Sequence, residues 1–287
     1  MTPGQRLKLA GWVLVFYAGG FLLAGVAVLP LGSVLIDPDI SFLRLAAIQT
    51  VGLLIGFGLM TWLVGSRVLG CSRADLEQLP PGAAGRRRWH RLGWGLLLGA
   101  GLAAVAMLLA VPAGNARWGP DRGGVLDWLG AVGVMAAVLL PAALAEELAF
   151  RGAPLLALSR ALGGKAPAIV TLAVLFAAAH WANPSVTPVA LANIGLAGVM
   201  LALVFYTPGG LWTSTGAHLG WNLTLGGLGA PVSGLPLPLP ALDYSPGGPG
   251  WLTGGSFGPE GGVLASLCLA AGALLAGRKL AGRGGIG

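Results

Sequence analysis

Charge is scarce in this chain. Asp, Glu, Lys and Arg make up only 9% of its 287 residues, whereas soluble domains carry about 25%, so an ordinary water-soluble globule is excluded. Cysteine is limited to Cys71 and Cys268. Two thiols this far apart in sequence, without metal-ligand spacing, exclude a disulfide framework and a cysteine metal centre. Histidine occurs only at His90, His180 and His218. Neither heptads nor an internal repeat is present.

Hydrophobic residues, by contrast, make up 55% of the chain, and the mean hydropathy is +0.81. Such a composition predicts an all-α, polytopic transmembrane helical bundle. Fifty glycines fit that class, because small residues let helices approach closely in lipid. Eight apolar stretches are long enough to be read as spans, at about 9–31, 43–66, 92–113, 125–149, 166–183, 188–206, 210–229 and 261–277. The first follows Arg6 and Lys8 as a signal peptide would. Its apolar run is too long for that, and it reads as an uncleaved anchor.

If the spans alternate, fourteen Lys and Arg residues fall on one side and only Arg44, Arg117 and Arg122 on the other. The positive-inside rule then places both termini in the cytoplasm. The net charge of +7 is thus a topology signal with some attraction to anionic lipid, and no nucleic-acid partner is expected. Trp89, Trp94, Trp118 and Trp128 sit where an interfacial aromatic belt is expected. The Pro/Gly-rich segment 230–262 reads as an external connector.

Three short polar motifs interrupt the apolar second half. Ionisable groups within a membrane are costly and therefore mark function. In Glu146-Glu147-Leu148-Ala149-Phe150-Arg151 the second glutamate and the arginine are four apart and share a helical face. Glu146 is turned away by about 100° and stays free of that pair. Phe176 to His180 puts an imidazole in the fifth apolar stretch, and His218 to Asn222 aligns an imidazole and a carboxamide on one face of the seventh. Taken singly, each has a plain structural alternative: a solvated helix end, a satisfied core histidine, interhelical hydrogen bonding. Taken together, they offer a carboxylate, two imidazoles and a carboxamide on three helices. That set suits a general base and oxyanion donors, with water as nucleophile, because no Ser or Cys stands beside a candidate base. His90, in the basic loop, has no such company.

In this order the motifs resemble the CPBP family of type II CAAX prenyl proteases and bacterial relatives, whose pattern is Glu-Glu-x-x-x-Arg, Phe-x-x-x-His and His-x-x-x-Asn or Asp. The resemblance covers roughly residues 125 to 229. It divides the chain into N-terminal helices without a recognised motif, 1–120, and a protease-like core with a C-terminal helix, 121–287. It implies an intramembrane endopeptidase of a bacterial cytoplasmic membrane, acting on a peptide or lipidated protein. Glu146 and His180 would activate water, His218 and Asn222 would stabilise the oxyanion, and Glu147 and Arg151 would support the site. The expected mechanism is metal-free. A zinc site of Glu146, His180 and His218 with one open position stays open as the alternative, although no HExxH is present. Two other functions compete: a non-catalytic binding or bacteriocin-immunity protein of the same fold, and a transporter.

The apolar run resumes after Arg151, which predicts that the embedded segment extends to about Leu158. Arg151 would then be buried, and Pro141 and Pro154 would mark kinks or breaks.

Overall fold

In lipid the backbone must satisfy its own polar groups, and the apolar runs accordingly fold as helices. The computed structural model describes residues 1–35, 41–79, 87–237 and 239–282; Arg86 and Arg283, part of the basic count above, lie outside them. The principal helices are α1 (Pro3–Val28), α2 (Phe42–Met60), α3 (Arg88–Gly114), α4 (Val125–Phe150), α5 (Ala153–Ala161), α6 (Lys165–Ala179), α7 (Pro188–Phe205), α8 (Leu211–Gly227) and α9 (Val263–Ala281). The chain is an all-α polytopic bundle. Its small sheet pairs β1 (Arg117–Pro120) antiparallel with β2 (Leu242–Ser245).

Among the described residues, six helical segments are long and apolar enough to cross a membrane: Pro3–Leu31, Phe42–Ser66, Arg88–Gly114, Val125–Ala161, Pro188–Phe205 and Val263–Ala281. The fifth and seventh expected stretches form helices, but shorter ones. At 15 residues, α6 spans about 22 Å, less than the hydrocarbon thickness of about 30 Å. The 17-residue α8 is buried along nearly its whole length. It is surrounded by protein, so it needs no continuous apolar surface and can carry Thr213, Ser214, Thr215, His218 and Asn222.

Glycine makes this central placement possible. Gly95 and Gly99 of α3 face Gly216 and Gly220 of α8, and a Cβ at any of the four would overlap backbone of the opposite helix. Two facing small-x-x-x-small rows thus bring the backbones together. A second close pairing joins α1 to α2, where a Cβ on Gly56 would strike the backbone of Gly20 and Ala24.

Two apolar cores flank the site. One joins α1, α2, α5 and α6 through residues such as Phe16, Phe57, Leu155 and Ile169. The other joins α3, α7, α8 and α9 through Met107, Met200, Trp221 and Leu269. The end of α4 adds Leu148 and Ala149 to the first core.

The connector is not a free external loop. Val232, Phe257 and Glu260 are buried, and β2 ties the segment back to β1. Trp118 and Trp128 are tied to the chain itself. Their indole N–H groups donate to the carbonyls of Leu228 (2.8 Å) and Gly227 (2.9 Å), closing the end of α8.

Candidate functional site

The first motif lies at the end of α4. This helix runs through Pro141 without interruption and ends at Phe150, with Arg151 as its C-cap. The break comes at Arg151–Gly152, where a side chain on Gly152 would press on the Leu148 carbonyl. Pro154 belongs to the first turn of α5, the position where proline is tolerated. Arg151 is only 2% exposed, so it is a buried side chain and leaves the count of loop cations.

Its partner is Glu147, which is fully buried. Arg151 Nη1 donates to Glu147 Oε1 at 3.0 Å, the i,i+4 pairing expected from the sequence. The same carboxylate oxygen faces His218 Nδ1 at 3.0 Å. With the Arg151-paired carboxylate as acceptor, the Nδ1 proton of His218 lies on this hydrogen bond. The other ring nitrogen, Nε2, then looks across to Glu146 Oε2 at 3.7 Å. Glu146 itself is partly open, with about a third of its side chain exposed.

The second motif ends its helix instead of lying inside it. His180 is the C-cap of α6, because the chain turns ahead of Asn183–Pro184, and a residue before proline disfavours the helical region. The embedded segment runs on from α4 to Ala161, so Glu146 does not lie at its end, and Glu146 and His180 line the same cavity. His180 Nδ1 bonds the Phe176 carbonyl at 2.7 Å, which leaves Nε2 unengaged by that bond.

Phe176, one turn earlier, has a part the sequence did not reveal. Its ring lies 4.7 Å from that of His180 and 6.1 Å from that of His218, edge-on to both. The Arg151 guanidinium sits over it at 4.2 Å, a cation–π contact. A single aromatic side chain thus spaces the two imidazoles and supports the buried ion pair.

Asn222 follows His218 by one turn of α8. Glu146, His180, His218 and Asn222 all line one cavity of about 630 Å³. Much of its remaining wall is apolar and comes from α1, α2 and α4, including Tyr17, Phe57, Met135 and Leu139, and the connector after α8 supplies another part. Tyr17 also donates to the Ala149 carbonyl at 2.9 Å, fastening α1 to the end of α4.

Glu260 was not singled out in the sequence. It is buried beside the site and lines a small adjoining cavity together with His180, His218 and Asn222. Burial pushes its carboxyl above the usual glutamate range, opposed by hydrogen bonds from Ser233 and Trp221.

Among the described residues no three His, Cys, Asp or Glu side chains are grouped closely enough to hold a metal. Glu146, His180 and His218 share a cavity without forming a ligand set.

Compared with known protein families, residues 128–224 match the one described as type II CAAX prenyl endopeptidase, Rce1-like. The match takes in all three motifs and covers about a third of the chain. No curated protein and no solved structure matches the chain.

Proposed function

We propose that residues 128–224, which match the Rce1-like type II CAAX prenyl endopeptidase family, form the core of an intramembrane protease of the CPBP family, and that its residues cleave a peptide bond in the following way. Glu146 is the general base. Its carboxylate takes a proton from a water molecule as the water oxygen attacks the scissile carbonyl carbon. His180, through Nε2, holds that water from the other side. The carbonyl oxygen becomes negative and is received by the Asn222 carboxamide N–H and by His218 Nε2–H in the protonated ring. Protonated Glu146 then delivers its proton to the leaving nitrogen, and the C–N bond breaks.

Glu147 and Arg151 act through His218. A buried carboxylate that accepts from Nδ1 fixes the ring plane and directs Nε2 toward Glu146. This places His218 nearer to the base than a pairing of Glu146 with His180 alone would suggest. The mechanism draws on no metal ion.

The substrate is an apolar-anchored peptide. A lipidated or prenylated chain end fits the cavity, whose wall away from the four polar residues is lined by Phe21, Phe57, Val138 and Leu139. The carrying observation is that residues from three separate motifs line this single cavity. The test is to reconstitute the full chain in liposomes with a farnesylated peptide and identify the products by mass spectrometry. Cleavage of an internal peptide bond supports the reading. An intact peptide, or its capture without hydrolysis, favours the non-catalytic binding function.

A further inference from the structure

The connector between α8 and α9 meets the cavity through a tight hairpin. Val232 and Leu235 exchange both backbone hydrogen bonds, at 3.0 and 2.9 Å. Between them Ser233 (φ 50°) and Gly234 (φ 82°) are both left-handed, the signature of a two-residue type I′ turn. Val232, Ser233 and Leu235 all line the same large cavity as Glu146 and the two imidazoles. The hairpin is therefore a wall of the site built from the connector and not from one of the principal helices.

Four polar contacts hold this wall. Glu260 Oε2 accepts from the Ser233 amide, and Glu260 Oε1 accepts from the Trp221 indole at 3.0 Å. Asn183 Nδ2, three residues beyond His180, donates to the Ser233 carbonyl at 2.8 Å. The Gly234 amide donates to Phe257 O at 3.0 Å. Glu260 is in turn fixed by Asn193, whose Nδ2 donates to the Glu260 and Gly262 carbonyls at 2.7 and 2.9 Å. Asn193 Oδ1 accepts from Ser266 at 2.6 Å. Of these contacts, only the Glu260 carboxylate joins the hairpin to α8, at Trp221, the residue before Asn222.

We propose that Glu260 is a positioning residue that holds the Val232–Leu235 hairpin through the Ser233 amide and thereby shapes the substrate wall of the cavity. Its kinetic consequence rests on the protease reading above. Both carboxylate oxygens face N–H donors, so a carboxamide cannot replace it: one of its ends would turn an N–H toward another N–H. Loss of the clamp frees the hairpin but not the helix. The glycine rows that lock α8 to α3 do not involve Glu260, so Asn222 and His218 keep their places. The effect then falls on substrate binding and not on the chemical step.

The test compares three full-length proteins in liposomes: wild type, Glu260→Gln, and Glu260→Gln with Trp221→Phe. Hydrogen exchange over residues 230–236 is read alongside cleavage of the farnesylated peptide. Glu260→Gln is expected to lose protection at the hairpin while the helices keep theirs. KM should rise about fivefold, the scale of one lost hydrogen bond, with kcat held within about twofold. Trp221→Phe removes the competing donor, lets the Gln carbonyl take the Ser233 amide, and should restore protection and most of the KM. Unchanged hairpin exchange in Glu260→Gln, a fall in kcat at constant KM, or failure of the second substitution to restore the hairpin would each overturn the proposal. So would unfolding of both variants throughout, which would make Glu260 a general stabiliser. A wild-type protein that cleaves no peptide would sink the protease reading, and the exchange measurements would still decide whether Glu260 holds the hairpin.

Discussion

His218 Nε2 stands 3.7 Å from Glu146 Oε2, with the opposite ring nitrogen bonded to the buried Glu147 at 3.0 Å. The imidazole is thus held between a carboxylate that anchors it and one that opens on the cavity. The adjacent glutamates face differently because the helix turns one toward Arg151 and the other toward the cavity.

The proposed oxyanion donors should then be separable from the fold. His218→Ala and Asn222→Ala are each expected to lower kcat by about 10²–10³, the scale of one lost oxyanion donor. His180→Ala, which removes a water-holding group, should cost about 10²-fold or more. Steady-state kinetics on liposome-reconstituted protein checks all three, with far-ultraviolet circular dichroism confirming that the helices persist.

Removing Arg151 should be a stability lesion. Arg151→Ala removes the ion-pair partner of the buried Glu147, and breaking such a pair costs about 3–5 kcal/mol. Arg151→Ala is therefore expected to unfold at markedly lower temperature in detergent, while Arg160→Ala, at an exposed position, should shift it less.

The α3–α8 interface makes a sharper structural prediction. Gly99→Ala drives a methyl group into the Ala217 carbonyl and should destabilise by about 1–3 kcal/mol, as overpacking does. Gly101→Ala on the same helix meets nothing within 4 Å and should be neutral or stabilising by up to about 1 kcal/mol. Paired thermal denaturation curves decide it.

Metal removal should leave the reaction unchanged. Prolonged chelation followed by gel filtration is expected to preserve turnover, because the proposed steps use only side chains and water. Lasting loss of activity that zinc restores would contradict the metal-free mechanism.

Helix positions were legible because a run of leucine, valine and alanine leaves the backbone few alternatives in lipid. The Glu147–Arg151 pair was legible for an equally local reason, the i,i+4 spacing. The end of α6 at His180 was less so, since Trp181 and Ala182 continue the apolar pattern and only Asn183–Pro184 signals the turn. Which imidazole stands beside Glu146 could not be read from spacing, because it depends on the crossing of α4 with α8. Phe176 carried only a motif position, with no hint of the ring contacts it makes. Glu260 was hidden for another reason: it ends a Pro/Gly-rich stretch with no periodicity, and its partners lie 27 and 39 residues away.

The central claim is that Glu146 is the base that activates water, and its most direct test is the cleavage rate of Glu146→Ala against wild type on the farnesylated peptide. Both proteins must be shown to be inserted and folded. A loss of at least about 100-fold in kcat with little change in KM is the predicted result, as for removal of a general base. Turnover within about threefold of wild type would contradict it.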